Sequence, residues 1–291
     1  MRVLSVAISV LALAQGAYCT FALQSDQPIP AGQLVREVVY NELNDHHGHS
    51  YWRYWIERHT SRETRLEDQI ETADGPIARL SMSNGRPLSA DAEAQEQARL
   101  ERLLTSPVEQ EKHRRAYEED ESRIGRIVAL LPDAFLYNYD GEENGCHRLS
   151  FRPNPEYPPH SIEARVFHAM SGTLWVDARY KRLARLDGHV EDNLDFGYGI
   201  LGRLYKGGWF QLRRTQVSAT DWKTERLEVH ICGRALLVKS FARETSEVRG
   251  GFAPVPAGMN LTQGMAMLNR IEARSPAKPS LLAPAALAIR R

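Results

Sequence analysis

Long apolar runs are scarce in this 291-residue chain. The longest, Val3 to Ala14 (VLSVAISVLALA), follows Arg2 and is too short to span a bilayer, but it suits the apolar region of a secretory signal. Nothing after it approaches spanning length, which excludes a helical membrane protein once a leader is removed. An excess of either charge is also missing. Lysine plus arginine number 37 and aspartate plus glutamate 37, so no strong field exists to gather nucleic acid or anionic lipid surfaces. Cysteine is rare, with Cys19, Cys146 and Cys232 only. That excludes a disulfide-dense scaffold. The local signatures of familiar catalysts are absent: there is no G-x-S-x-G and no H-E-x-x-H.

The leader pattern predicts export to the periplasm or cell envelope, with residues 1–22 as signal peptide. Two positions satisfy the small-x-small rule: after Ala22 with Thr20 at minus three, and after Gly16 with Ala14 at minus three. Cleavage after Ala22 leaves Cys146 and Cys232, free or paired. Cys146-His147 and His230-Ile231-Cys232 invite a zinc reading, but adjacent strand residues point to opposite faces, so Cys146 and His147 would not converge on one metal.

Periodicity organises the rest. Leu34, Val35, Val38, Val39 and Leu43 have helical spacing. Tyr51 to Arg58 alternates, with Trp52, Tyr54 and Ile56 on one face, and Leu80 with Met82 continue period two in a later strand. Ser89 to Leu131 reads as a helical insertion. Its Ser106-Pro107-Val108-Glu109 opens a helix that Pro132 should stop. Strands resume with AFLYNY, turn DGEENG and CHRLSF, and continue from Gly172. Ser161 to Met170 suggests a short helix. Asn260 to Ala273 reads as a last helix with a capping box at Asn260 and Gln263, and residues 274–291 carry no acid and read as a disordered tail. The expected organisation is a single domain over 23–258 containing the 89–131 insertion, a C-terminal helix over 259–273, and the tail.

The stretch DFGYGILGRLYKGG, Asp195 to Gly208, spells both a kinase-like Asp-Phe-Gly and a G-x-G-x-x-G string. A dinucleotide site needs a strand before the glycines and a helix opening within them. Gly207-Gly208 follow Gly202 too closely for such a helix. Neither a nucleotide nor any other cofactor is expected. Glycines within strands serve bulges, sharp coiling and close backbone approach instead.

The run GTLWVDARYKRLARLDGHVEDNLDFGYGILGRLYKGG, Gly172 to Gly208, together with PDAFLYNYDGEENG, LSFRPNPEY and GRALLVKSF, resembles an uncharacterised secreted branch of the bacterial outer-membrane lipoprotein-sorting superfamily. The resemblance spans about Gln33 to Pro256. It implies an α+β fold, mainly antiparallel β: a curved, unclosed half-barrel with an N-terminal helix and helical lid, whose concave face holds acyl chains. The long charged insertion departs from the compact carriers.

The ligand face expected on these grounds comprises Trp52, Tyr54, Ile56, Leu80, Met82, Phe135, Tyr137, Tyr139, Leu174 and Val176. Such residues either fill a sheet core or line a cavity. The leading expectation is a non-enzymatic envelope protein binding a lipid or lipoprotein acyl chain. An envelope sensor or adaptor with a protein partner is the alternative. A metal-dependent hydrolase using His46, His47 and His49 is the second alternative; that cluster has helix-ending character, with a glycine at Gly48 and one carboxylate, Asp45, close by.

Overall fold

The computed structural model describes residues 29–44, 50–196, 202–235 and 239–271. The signal segment, the His46–His49 cluster and residues 274–291 lie outside the described residues. Helix α1 (Ala31–Leu43) buries Leu34, Val35, Val38 and Val39, the stripe that 3.6-residue periodicity dictates. Strands β1 (Tyr51–Thr60), β2 (Thr64–Ile70), β3 (Ile77–Ser83) and the short β4 (Arg86–Pro87) follow as a meander. The β2–β3 turn is made at Gly75, whose φ of +101° lies in the region that favours glycine.

Helices α2 (Ala90–Thr105) and α3 (Pro107–Ala134) form the insertion. Ser89 and Ser106 cap them by accepting from the backbone N–H of Ala92 and Glu109. Helix α3 does not stop at Pro132; it runs two residues further. Proline there removes only the hydrogen bond that the Val128 carbonyl would accept, in a last turn that is already losing partners. Next come β5 (Phe135–Glu143) and β6 (Cys146–Pro153). Their connection is tighter than the six-residue DGEENG turn the sequence suggests: Asn144 and Gly145, with φ of 52° and 78°, form a two-residue hairpin. The preceding Gly141, φ 119°, sits at a register shift.

Helix α4 (Ile162–Phe167) leads into β7 (Met170–Asp177) and β8 (Leu183–Val190). The small strands β9 (Leu194–Phe196) and β10 (Gly202–Leu204) pair antiparallel with each other. The glycine string thus joins two antiparallel strands, not a strand to a helix; residues 197–201 themselves lie outside the described residues. β11 (Trp209–Gln216), β12 (Trp222–Ala235), β13 (Lys239–Val255) and helix α5 (Leu261–Leu268) complete the chain. Asn260 and Gln263 make the reciprocal capping box at the start of α5.

The strand order is β4-β3-β2-β1-β13-β12-β11-β8-β7-β6-β5, with β10 and β9 branching from β12, and every pairing is antiparallel. The two edges do not meet, so the sheet is unclosed. The chain leaves one edge at β4 and re-enters at the other edge as β5. The insertion is therefore the connection between the two edges. α3, at ~1.5 Å per residue over its 28 residues, is roughly 42 Å long, and it runs from the β2–β3 turn to the start of β5. Near its N-terminal half, His113 and Tyr117 pack on the Gly75 turn. Its C-terminal half packs against α1, where Arg36 pairs with Asp133. α2 guards the exposed edge of β3: Glu96 accepts from the Leu80 N–H and Arg99 donates to the Ala78 carbonyl.

Candidate functional site

Register decides what each face presents, because residues directly opposite across strands share a face. One row crosses the sheet from Leu149 through Leu174, Leu186, Leu212 and Leu227 to Glu247 and Arg58. It is leucine over five adjacent strands, then charged. A neighbouring row runs Tyr137, Phe151, Gly172, Gly188, Phe210 and Val229. Here the two glycines form a floor with an aromatic ring leaning in from each side. A Cβ at Gly172 would stand 2.7 Å from Phe151 Cζ, and one at Gly188 would stand 2.6 Å from Phe210 Cζ. A side chain at Gly172 would have to displace the β8 backbone, whose Asp187 carbonyl oxygen would clash with its Cβ, and one at Gly188 would have to move the Phe210 ring.

Above this leucine and aromatic half lies a cavity of about 540 Å3, roofed by α1 and α3. The sheet contributes Phe135, Tyr137, Phe151, Leu174, Leu186, Phe210 and Leu212 among others; the helices contribute Val35, Val38, Ile124, Val128 and Leu131. The volume falls within the roughly 300–1,000 Å3 typical of small-molecule sites. The Tyr137 hydroxyl is satisfied within this lining by donating to the Leu131 carbonyl at 2.7 Å, and burial holds that phenol well above its ordinary pKa.

One corner is charged. Glu42, from the last turn of α1, accepts from Arg182 at 3.0 and 3.1 Å, from the Leu183 N–H at 3.1 Å, and pairs with Arg214 at 2.5 Å. Arg214 also donates to the Trp222 carbonyl at 2.9 Å. Glu42, Arg214, Thr224 and the exposed Glu121 all border the cavity. The space is thus amphipathic along its length, apolar under β5 and β6 and ionic beside β11 and β12.

The residues expected from sequence divide into groups. Phe135, Tyr137 and Leu174 line the cavity. Val176 is fully buried in the surrounding core. Tyr139 stands at the edge, half in solvent, with its hydroxyl donating to the Ile29 carbonyl. Trp52, Tyr54 and Ile56 are buried on the same face, as the Arg58–Glu247 pairing requires, but form a separate cluster with Phe252 and Val217. Around them the face is polar: Gln69 donates to the Tyr54 hydroxyl at 2.7 Å, Lys223 pairs with Glu71 at 2.8 Å, and Arg58 and Arg249 hold Glu247 at 2.8 and 3.0 Å. Burial first, and Glu71 second, keep the Tyr54 phenol protonated far above its usual range. Leu80 shares this face through Glu67 and Ile56, whereas Met82 does not. A register shift between Leu66 and Glu67 sets Met82 opposite Leu66 and Leu80 opposite Glu67, which separates two residues that strict alternation would keep together.

Sequence reasoning did not find Glu42, Leu186, Phe210, Leu212 or Arg214. Period-two apolar spacing in Trp209–Gln216 was available for Phe210 and Leu212 as a pair with opposite facing partners, but only the register aligns Leu212 and Phe210 with β8.

Among the described residues, no group of three or more histidine, cysteine or carboxylate side chains converges as a metal site. Cys146 and Cys232 are free thiols, on strands that are not neighbours. Ser171, His189 and Glu191 touch on the sheet surface, but Glu191 meets the same ring nitrogen, Nε2, that faces Ser171, and it also accepts directly from the serine hydroxyl. A relay needs the carboxylate on the other ring nitrogen, so this trio lacks that geometry. No helix among the described residues is long and apolar enough to cross a membrane.

No family model matches the chain, and no curated protein matches it. Among solved structures, the chain is similar to a DUF1329 family protein from Desulfovibrio piger ATCC 29098, at 10% identity and a TM-score of 0.33, covering 82% of this chain and 100% of that one. It is also similar to a chain of the Pseudomonas aeruginosa MucA/MucB complex, at 8% identity and a TM-score of 0.21, covering 81% and 95%. Overlaps this loose carry no argument about the site, which rests on its own geometry.

Proposed function

We propose that this protein is a non-enzymatic binder of an apolar ligand, a lipid or lipoprotein acyl chain, that works in the cell envelope after export. The observation that carries the reading is the apolar cavity of about 540 Å3 between the leucine-bearing half of the sheet and the α1–α3 roof. The ligand site moves accordingly from the Trp52–Tyr54–Ile56 cluster to the half formed by β5 to β8 and β11. The leader pattern at Arg2 to Ala14 supports the envelope location.

The energetics are adequate. Each buried methylene contributes ~0.8 kcal/mol, so about twelve contribute roughly 10 kcal/mol before immobilisation costs of at least ~4 kcal/mol. The remainder corresponds to a Kd on the order of tens of micromolar. The test is displacement of a fluorescent fatty acid from wild-type protein and from Leu186→Trp, which fills the middle of the leucine row. Wild-type binding that drops at least several-fold in a variant still melting cooperatively supports the proposal. Wild-type protein that displaces no acyl probe, or a Leu186→Trp protein that binds as well as wild type, refutes it.

A further inference from the structure

The charged corner narrows the ligand class. Arg214 is the guanidinium that borders the cavity, and its planar fork of N–H donors matches a carboxylate. Its present partner is a carboxylate, that of Glu42, so the corner already shows that a carboxylate fits against it. Glu42 does not depend on Arg214. If Arg214 turns away, Glu42 keeps two bonds from Arg182 and one from the Leu183 N–H. Arg214 in turn keeps an anchor on the Trp222 carbonyl. The Glu42–Arg214 contact can therefore be exchanged for another carboxylate without leaving either charge bare. Thr224, opposite Arg214 across the β11–β12 pair, brings a hydroxyl to the same corner.

We infer that the ligand is a long-chain carboxylate whose head group binds Arg214 in place of Glu42 and whose tail runs along Leu212, Leu186 and Leu174 toward Phe151 and Phe135. The inference rests on the cavity being a binding site, as proposed above. A single negative charge fits best, because Glu42 and Glu121 border the same space and one guanidinium cannot offset a dianion against two carboxylates. A neutral head group would leave the ionic corner unused, since charge-assisted hydrogen bonds are about twice as strong as neutral ones.

The experiment compares palmitate, hexadecanol and hexadecyl phosphate in the same displacement assay on the full chain. Palmitate should bind about tenfold tighter than hexadecanol, as one hydrogen-bonded charge contact implies, and tighter than the phosphate. Arg214→Gln should erase the palmitate preference, and Arg214→Lys should retain part of it, because lysine keeps the charge and loses the planar fork. Thr224→Val, which leaves the Glu42–Arg214 pair intact, should reduce the preference and serves as the second variant if Arg214→Gln does not melt cooperatively. Equal affinity for palmitate and hexadecanol, a preference that survives Arg214→Gln, or tighter binding of the phosphate overturns the head-group assignment while leaving the cavity as a binding site. Failure of both palmitate and hexadecanol to bind overturns the two together.

Discussion

Replacing Glu42 tests what fastens the roof of the cavity to its floor. Glu42 lies on α1, while its partners lie 140 residues on at Arg182 and further on at Arg214. Its side chain and those of Arg182 and Arg214 are 14%, 8% and 14% exposed, so the ion cluster is largely out of water. Removing one member of a buried ion cluster costs roughly 3–5 kcal/mol, because the partners keep their desolvation penalty and lose the compensating charge. For a domain of this size ~1 kcal/mol moves Tm by about 2–4 °C, so Glu42→Ala should lower Tm by roughly 6–20 °C, from those same two ranges. Glu42→Gln should be nearly as harmful, since its amide N–H would face guanidinium N–H groups. Thermal and urea melts of the purified chain read both variants. A Glu42→Ala shift below about 2 °C, the response to less than ~1 kcal/mol, would refute the reasoning and show that the ion cluster does not fasten α1 to the sheet.

Two further outcomes follow from particular residues. Gly172→Ala should destabilise by at least roughly 1–3 kcal/mol, because its Cβ would press on the Asp187 carbonyl oxygen of β8 and on Phe151, while Gly32→Ala, in the first turn of α1 with nothing within 4 Å, should be neutral or stabilise by up to ~1 kcal/mol; equal urea midpoints for the two would show that the glycine floor is not tight. Burial of Glu247 opposes its ionisation, but the hydrogen bonds from Arg249 and Arg58 outweigh it and hold the carboxyl below its ordinary 4.5. A carboxyl whose folded pKa is depressed stabilises the fold above its unfolded pKa and loses that contribution as pH falls through the folded value. Glu247→Gln should therefore flatten the loss of stability below pH ~4.5 relative to wild type, and acid limbs that superimpose in pH-dependent melts would contradict the pairing.

Much of the local structure follows from neighbours in the chain, because the forces concerned act within a few residues. The stripe Leu34–Val39 specifies α1, and Ser106 and Asn260 specify helix starts. The alternation at Trp52, Tyr54 and Ile56 correctly marks one buried face. The close spacing of glycines from Gly197 to Gly208 already excluded a helix, and the antiparallel β9–β10 pair agrees with that. An N-terminal helix, antiparallel strands and a helical insertion were legible in this way, whereas the unclosed sheet was what the family resemblance implied.

Tertiary structure alone decided where the cavity lies. Period two says that alternate residues share a face; it does not say which strands become neighbours or in what register. Only the order β6-β7-β8-β11-β12 turns five scattered leucines into one row, and only the return of β13 beside β1 makes Trp52, Tyr54 and Ile56 neighbours of Glu247, Arg249 and Lys223. The bulge that parts Leu80 from Met82 has no marker in either strand's own pattern. The same holds for Glu42, an ordinary acid near the end of a helix until the fold sets it against Arg182 and Arg214. Burial supplies the reason: a charge is cheap in water wherever the chain places it, and it acquires a role only when packing removes the water and leaves specific partners in its place.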